Sequence, residues 1–156
     1  MSRNVVFRSR KGGFTLVEIL IVVIILGILA AIVIPQFTNA STNARVSSTV
    51  SQLQSLRSQI QLYKLQHNDT VPDLVANQWN QFMKKTDVAG STTASSGLNF
   101  GPYLESVPSN PLNNFAAVSD AAAAATGWVY DKTTGDIHAT NQTPTGVFDE
   151  STQVVQ

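Results

Sequence analysis

The chain has 156 residues, ten basic and ten acidic side chains, and no cysteine. That length holds one domain and an appendage, and the missing thiols exclude both a disulfide framework and a thiolate metal site. The neutral total hides an asymmetry: Arg3, Arg8, Arg10 and Lys11 precede Gly13, and the remainder carries 6 basic against 10 acidic groups, a net of −4, which excludes the basic patch of a nucleic-acid-binding domain.

Behind the basic cluster runs "GFTLVEILIVVIILGILAAIVIP", Gly13 to Pro35. As a helix, Leu16–Ile34 is long enough to cross a bilayer, which takes roughly 17–25 apolar residues. The basic flank predicts a cytoplasmic N-terminus and export of the rest. A cleaved secretory signal has a core of about 7–15 apolar residues and then small residues in an A-x-A pattern. Here the core is longer, "LAAIVIP" lacks the pattern, and Glu18 interrupts the core. A plain anchor fits the length but leaves "KGG" and Glu18 unexplained. The third reading puts a processing point at Gly13–Phe14, ahead of the apolar segment.

Thr15-x-x-Glu18 is a capping-box pattern, and a carboxylate in the first turn gains about 0.3–1 kcal/mol from the helix dipole. Deep in a bilayer the same charge costs roughly 2.5–3.5 kcal/mol. Capping and a second, intermolecular role for Glu18 are therefore both open. Further on, Pro35 removes a hydrogen bond to the Ala31 carbonyl and crowds it, so a kink or local unwinding is expected there. Gly27 lowers helix propensity by about 1 kcal/mol relative to alanine. Membrane helices tolerate both residues.

After Pro35, Val46, Val50, Leu53, Leu56, Ile60 and Tyr63 recur every three or four residues among serines and glutamines. This is an amphipathic helix with one buried stripe. Joined to the apolar segment it predicts one helix from Phe14 to about His67, on the order of 80 Å at 1.5 Å per residue. Its first half has no cover within a single subunit and needs lipid or sister chains. "PDLVANQWNQFMKK" predicts a second helix with Leu74, Val75, Trp79, Phe82 and Met83 on one face. "GSTTASSG" is a polar loop. "GPYLESVPSNPLNN" is irregular, with Tyr103, Leu104 and Val107 as anchors. Ala121–Ala125 is a helical turn or a loop. Trp128–Asp131 and Asp136–Thr140 flank a Lys132–Gly135 turn and predict a β-hairpin. The tail after Thr140 is polar and expected to pack loosely. The fold class is therefore α+β: a long N-terminal helix, half span and half amphipathic, against a small head with a short antiparallel sheet.

"KGGFTLVE" with the apolar run to Pro35 resembles the processing site of type IV pilins and of the pseudopilins of type II secretion. The resemblance implies cleavage between Gly13 and Phe14 by a prepilin peptidase and N-methylation of Phe14. It implies that Glu18, fifth in the mature chain, meets the terminal amine of a neighbouring subunit and sets the axial register. A buried charge tolerates only a correctly placed partner. It further implies that the stretch from Gly27 to Pro35 melts on assembly. The expected organisation is a leader at 1–13, a membrane and filament-core helix at 14–35, an amphipathic helix at 36–67 and a head at 68–156. "GPYLESVPSNPLNN" followed by a hairpin is most similar to a major pseudopilin. The implied function is a structural subunit of a helical filament that polymerises from the bacterial inner membrane into a periplasmic pseudopilus. A surface pilus for adhesion, motility or DNA uptake is the alternative, and a membrane-tethered binding or enzymatic domain a remote one. Implied partners are sister subunits in a homopolymer, the prepilin peptidase, an inner-membrane assembly platform and lipid before assembly.

Major pseudopilins bind calcium through an aspartate-rich C-terminal loop. Here Asp131 and Asp136 flank a tight turn and Asp149–Glu150 lies in the tail, with no dense run of oxygen ligands between. No cofactor is expected, with calcium as the open alternative. His67 and His138 lack ligand-spaced partners and are read as surface or helix-end residues. No phosphate loop, nucleophile elbow or zinc motif is present, so the chain is not read as an enzyme.

Overall fold

The computed structural model describes residues 13–141 and 146–151. In chain order it contains α1 (Leu16–Gln66), α2 (Leu74–Asn77), α3 (Asn80–Met83), β1 (Ala117–Ser119), β2 (Thr126–Tyr130) and β3 (Ile137–Ala139). The chain forms two compact units divided between Ala40 and Ser41, a boundary that falls inside α1.

The first unit is the apolar part of α1. Gly27 and Pro35 do not interrupt it, and the backbone is α-helical through both. From Phe14 to Phe37 its large apolar side chains are all exposed, by 41% at Val33 to 82% at Leu16. It is long and apolar enough to cross a membrane.

In the second unit the amphipathic part of α1 buries Val46, Leu53, Leu56, Ile60 and Tyr63, as the spacing predicts. Thr49 replaces half-buried Val50 on the inner stripe, and its hydroxyl is satisfied by the Arg45 carbonyl at 2.9 Å. The helix ends where Asn68 and Asp69 take left-handed conformations and the Asp69 N–H donates back to the Lys64 carbonyl. The same core holds Trp79, Phe82, Tyr103, Leu112, Trp128, Tyr130 and Phe148. Trp79 and Trp128 meet edge to face, with centroids 6.5 Å apart.

The predicted hairpin is present. β2 and β3 pair antiparallel with Val129 opposite His138, and Gly135 supplies the positive φ of the turn, 86°. The sheet is not wholly antiparallel, however: β1 joins β2 in parallel, Ala117 opposite Thr126, in the order β1-β2-β3. A parallel return normally needs a long crossover. The short length of β1 removes that need, because a three-residue strand covers about 10 Å. Asp120–Ala125, which forms a loop and not a helical turn, is ample to climb back. Gly127 lets this crossing happen, since a Cβ there would collide with the Phe115 carbonyl.

The remaining expectations divide. The helix predicted from "PDLVANQWNQFMKK" is two short helices, α2 and α3, broken by left-handed Gln78 and Trp79. Tyr103 is buried, but Val107 is 46% exposed, and Leu112 anchors the segment in its place. Asn110 ties that segment down: its Nδ2 donates to the carbonyls of Gly127 and Thr140, and its Oδ1 accepts from the Leu112 N–H. The tail is not loose where it is described. Phe148 is buried, and its N–H donates to the Ala139 carbonyl at 2.8 Å.

Candidate functional site

Of the residues singled out by sequence, Gly13, Phe14 and Glu18 lie at the start of α1, and Gly27 and Pro35 lie farther along it. Gly13, Phe14 and Thr15 precede the helix outside regular structure and are exposed, Phe14 by 81%. Thr15 and Glu18 then close a reciprocal cap. The Thr15 N–H and hydroxyl donate to Glu18 Oε2 at 2.8 and 2.7 Å, and the Glu18 N–H donates to Thr15 Oγ1 at 3.2 Å. The capping role is therefore real. It engages one carboxylate oxygen, and no cation pairs with Glu18 among the described residues.

Among the described residues no close contact requires glycine at Gly13 or Gly27. Apart from their chain neighbours and, for Gly27, the nearby backbone of its own helix, no described atom lies within 4 Å of where a Cβ on either would stand, and neither has positive φ. Pro35 lies within the helix, and one turn on the Thr38 hydroxyl donates to the Ile34 carbonyl at 3.3 Å.

The acidic groups of the hairpin are engaged in turn chemistry. Asp131 Oδ1 accepts from the Thr133 N–H at 2.7 Å, which holds its carboxyl below the usual range, and the Thr134 hydroxyl donates to Asp136 Oδ2 at 2.9 Å. They border an open depression of about 390 Å³ that also includes Asp120, Lys132 and His138. Among the described residues no three acidic or histidine side chains are grouped as a metal site.

The histidines separate. His138 lies on the outer face of the hairpin with its side chain 46% exposed, 3.7 Å from Glu150. His67 follows the end of α1 but is buried, not on the surface. It stacks on Tyr63 at 3.7 Å, and its Nδ1 and Nε2 reach the Tyr63 carbonyl and the Thr86 hydroxyl. Because a carbonyl only accepts, Nδ1 carries the hydrogen. Its periodicity with Tyr63, four residues earlier, was the available signal for burial.

The prokaryotic N-terminal methylation motif matches residues 8–34, a span that takes in Gly13, Phe14, Glu18 and Gly27 and stops one residue before Pro35. The chain is similar to the type IV major fimbrial protein FimA of Dichelobacter nodosus, with 34% identity over 113 residues, 67% of this chain and 71% of that one. The chain belongs to the type IV pilin and pseudopilin family. Other relatives include type II secretion system core protein G of Pseudomonas aeruginosa, 41% identical over 58 residues that cover 37% of this chain and 41% of that one. The fimbrial protein of Neisseria meningitidis is 29% identical over 104 residues, 67% of this chain and 59% of that one. The chain thus spans about two fifths of the length of the secretion relatives it matches. No solved structure matches it significantly. In a pilin-family chain, the long α1 followed by a small three-stranded α+β head is the expected build.

Proposed function

We propose that the chain is the structural subunit of a helical filament, made as a precursor in the bacterial inner membrane with its N-terminus in the cytoplasm. A prepilin peptidase cleaves between Gly13 and Phe14 and methylates Phe14, and an inner-membrane platform adds the mature subunit to the growing polymer. The observation that carries this reading is the bare apolar run of α1 opening on the Thr15–Glu18 cap. An exposed apolar surface that long has to be covered by lipid or by identical helices. Moving from lipid to a filament core changes its cover without changing its chemistry. Glu18 keeps an oxygen available for the neighbouring terminal amine, and Gly27 and Pro35 weaken the helix where it would yield on packing.

Within that function the reading favoured here is the major pseudopilin of a type II secretion system. It is supported by the core protein G relatives, whose identity lies between 38% and 42%. A surface pilus is the second reading, favoured by the FimA match, which extends over 113 residues and so beyond α1 into the head. Intact mass of the chain extracted from membranes tests the shared core of both. The expected species begins at N-methylated Phe14. A species that keeps Met1, or one that starts beyond Pro35, overturns the filament reading. Filament length then separates the two machines: a pseudopilin gives short periplasmic polymers and a pilin gives long filaments that shear from the cell surface.

A further inference from the structure

The break between α2 and α3 places two side chains against the edge of the sheet. Gln78 and Trp79 sit at φ 43° and 70°, a region that non-glycine residues avoid and bulky ones avoid most. Strain of that kind persists only where the surroundings hold it. What holds it here is β1. Gln78 Nε2 donates to the Val118 carbonyl at 2.7 Å, and the Val118 N–H donates to Gln78 Oε1 at 3.2 Å. Trp79 Nε1 donates to the Ala116 carbonyl at 2.7 Å.

β1 is an outer strand of the sheet, with β2 on its other side. Val118 gives both its N–H and its carbonyl to Gln78, on the side away from β2, and Ala116, the residue before the strand, gives its carbonyl to Trp79. A primary amide that accepts from the N–H and donates to the carbonyl of one residue makes the two bonds an added strand would make. Open strand edges invite such addition from the nearest chain. The opposite edge is also filled: on β3 the Ile137 carbonyl accepts from Arg57 at 2.9 Å and the Ala139 carbonyl from the Phe148 N–H at 2.8 Å.

We propose that Gln78, supported by Trp79, is an edge guard that closes β1 against strand addition by a second copy of this chain, leaving α1 as the surface through which subunits join. The identity of the competing neighbour rests on the filament reading, but the hydrogen bonds that form the guard do not. Heads crowded at a membrane or along a polymer would otherwise offer each other unpaired strands.

The test uses the full chain in detergent, where no filament is required, so its failure is distinct from failure of the filament reading. Gln78→Ala opens the edge, and Gln78→Lys replaces the amide with a charge that itself deters strand pairing. Light scattering on size-separated protein reads the mass, and the near-ultraviolet dichroism of Trp79 and Trp128 reports whether the head is folded. Gln78→Ala is expected to form dimers and higher species at a concentration where wild type and Gln78→Lys remain single chains. A folded Gln78→Ala that stays a single chain overturns the proposal. So does association of both variants, which would mark general destabilisation and not an open edge. If Gln78→Ala does not fold, hydrogen exchange on the wild type decides. The Val118 amide should exchange as slowly as the ladder amides of β2, and exchange at the rate of an unpaired edge overturns the guard.

Discussion

Arg57 and Glu150 stand 93 positions apart and are joined by two hydrogen bonds, 2.7 Å from Nη1 to Oε2 and 2.5 Å from Nη2 to Oε1. The same guanidinium reaches the Ile137 carbonyl, so one side chain of α1 holds both the outer strand of the hairpin and the C-terminal segment. Bidentate geometry makes this the strongest class of ion pair. Its partial exposure, 38% and 27%, reduces its worth towards that of a surface pair, about 1 kcal/mol.

The pair has a pH signature. The Arg57 hydrogen bonds hold the Glu150 carboxyl below its ordinary 4.5, with the charges of Arg57 and His138 adding to the effect and partial burial opposing it. A depressed folded pKa means that the contribution is complete above the unfolded value and is lost as pH falls through the folded one. Wild type should therefore lose stability more steeply than Glu150→Gln once the pH drops below 4.5. Chemical denaturation at a series of pH values checks this. Parallel curves for the two proteins would show that the tail is held by Phe148 alone.

Leu53 is fully buried in the core shared with Trp128 and Tyr130. Leu53→Ala should cost about 2–5 kcal/mol, since a methyl-lined cavity replaces packed atoms that the rigid helix cannot refill. Tryptophan fluorescence during denaturation of the full chain in detergent reads it directly, because both tryptophans lie in that core. A loss under about 1 kcal/mol would mean that the site collapses around the smaller side chain.

Asn110 has no apolar substitute. Asn110→Leu removes the donor to Gly127 and Thr140 and the acceptor for Leu112; the Gly127 carbonyl keeps the Thr140 N–H and hydroxyl, but the Thr140 carbonyl and the Leu112 N–H lose the partner they have, at about 1–3 kcal/mol each before any water enters. The variant should be destabilised at least as much as Leu53→Ala, with proteolysis between Pro102 and Asn114 as an independent reading. Wild-type resistance in that segment would show that water takes over the role of the amide.

What the sequence reveals depends on the distance over which each element is decided. The α1 stripe is legible because every inward residue is set by its neighbours three or four positions away. The hairpin is legible because Gly135 and the Asp131 turn are local. The break at Gln78–Trp79 is not, since nothing in "VANQWNQF" disfavours a helix and the side chains are pulled out by a strand 40 positions later. The parallel entry of β1 and the docking of the tail on Arg57 are hidden for the same reason. At the candidate site the Thr15-x-x-Glu18 capping box was legible because it is local, and it alone could have accounted for Glu18. The structure adds that, among the described residues, the cap leaves one carboxylate oxygen unengaged and no close contact requires glycine at Gly13 or Gly27.

Capping and registry at Glu18 separate in one substitution. Glutamine keeps a side-chain carbonyl that can accept from the Thr15 N–H and hydroxyl, so Glu18→Gln preserves the local start of α1. It removes the full negative charge that would pair with the terminal amine of a neighbour. The variant should insert and be processed to the Phe14 terminus as wild type is. It is also easier to hold in lipid, because a neutral amide is cheaper there than a carboxylate, and this too favours the unassembled state. Loss of one charge-assisted contact per subunit is worth about 1.5–3 kcal/mol, so the filament yield per mature subunit should fall about tenfold or more. The yield is read from isolated filaments against mature chain in the membrane fraction. An undiminished yield from Glu18→Gln would leave the carboxylate as a helix cap and move the axial register to other contacts along α1.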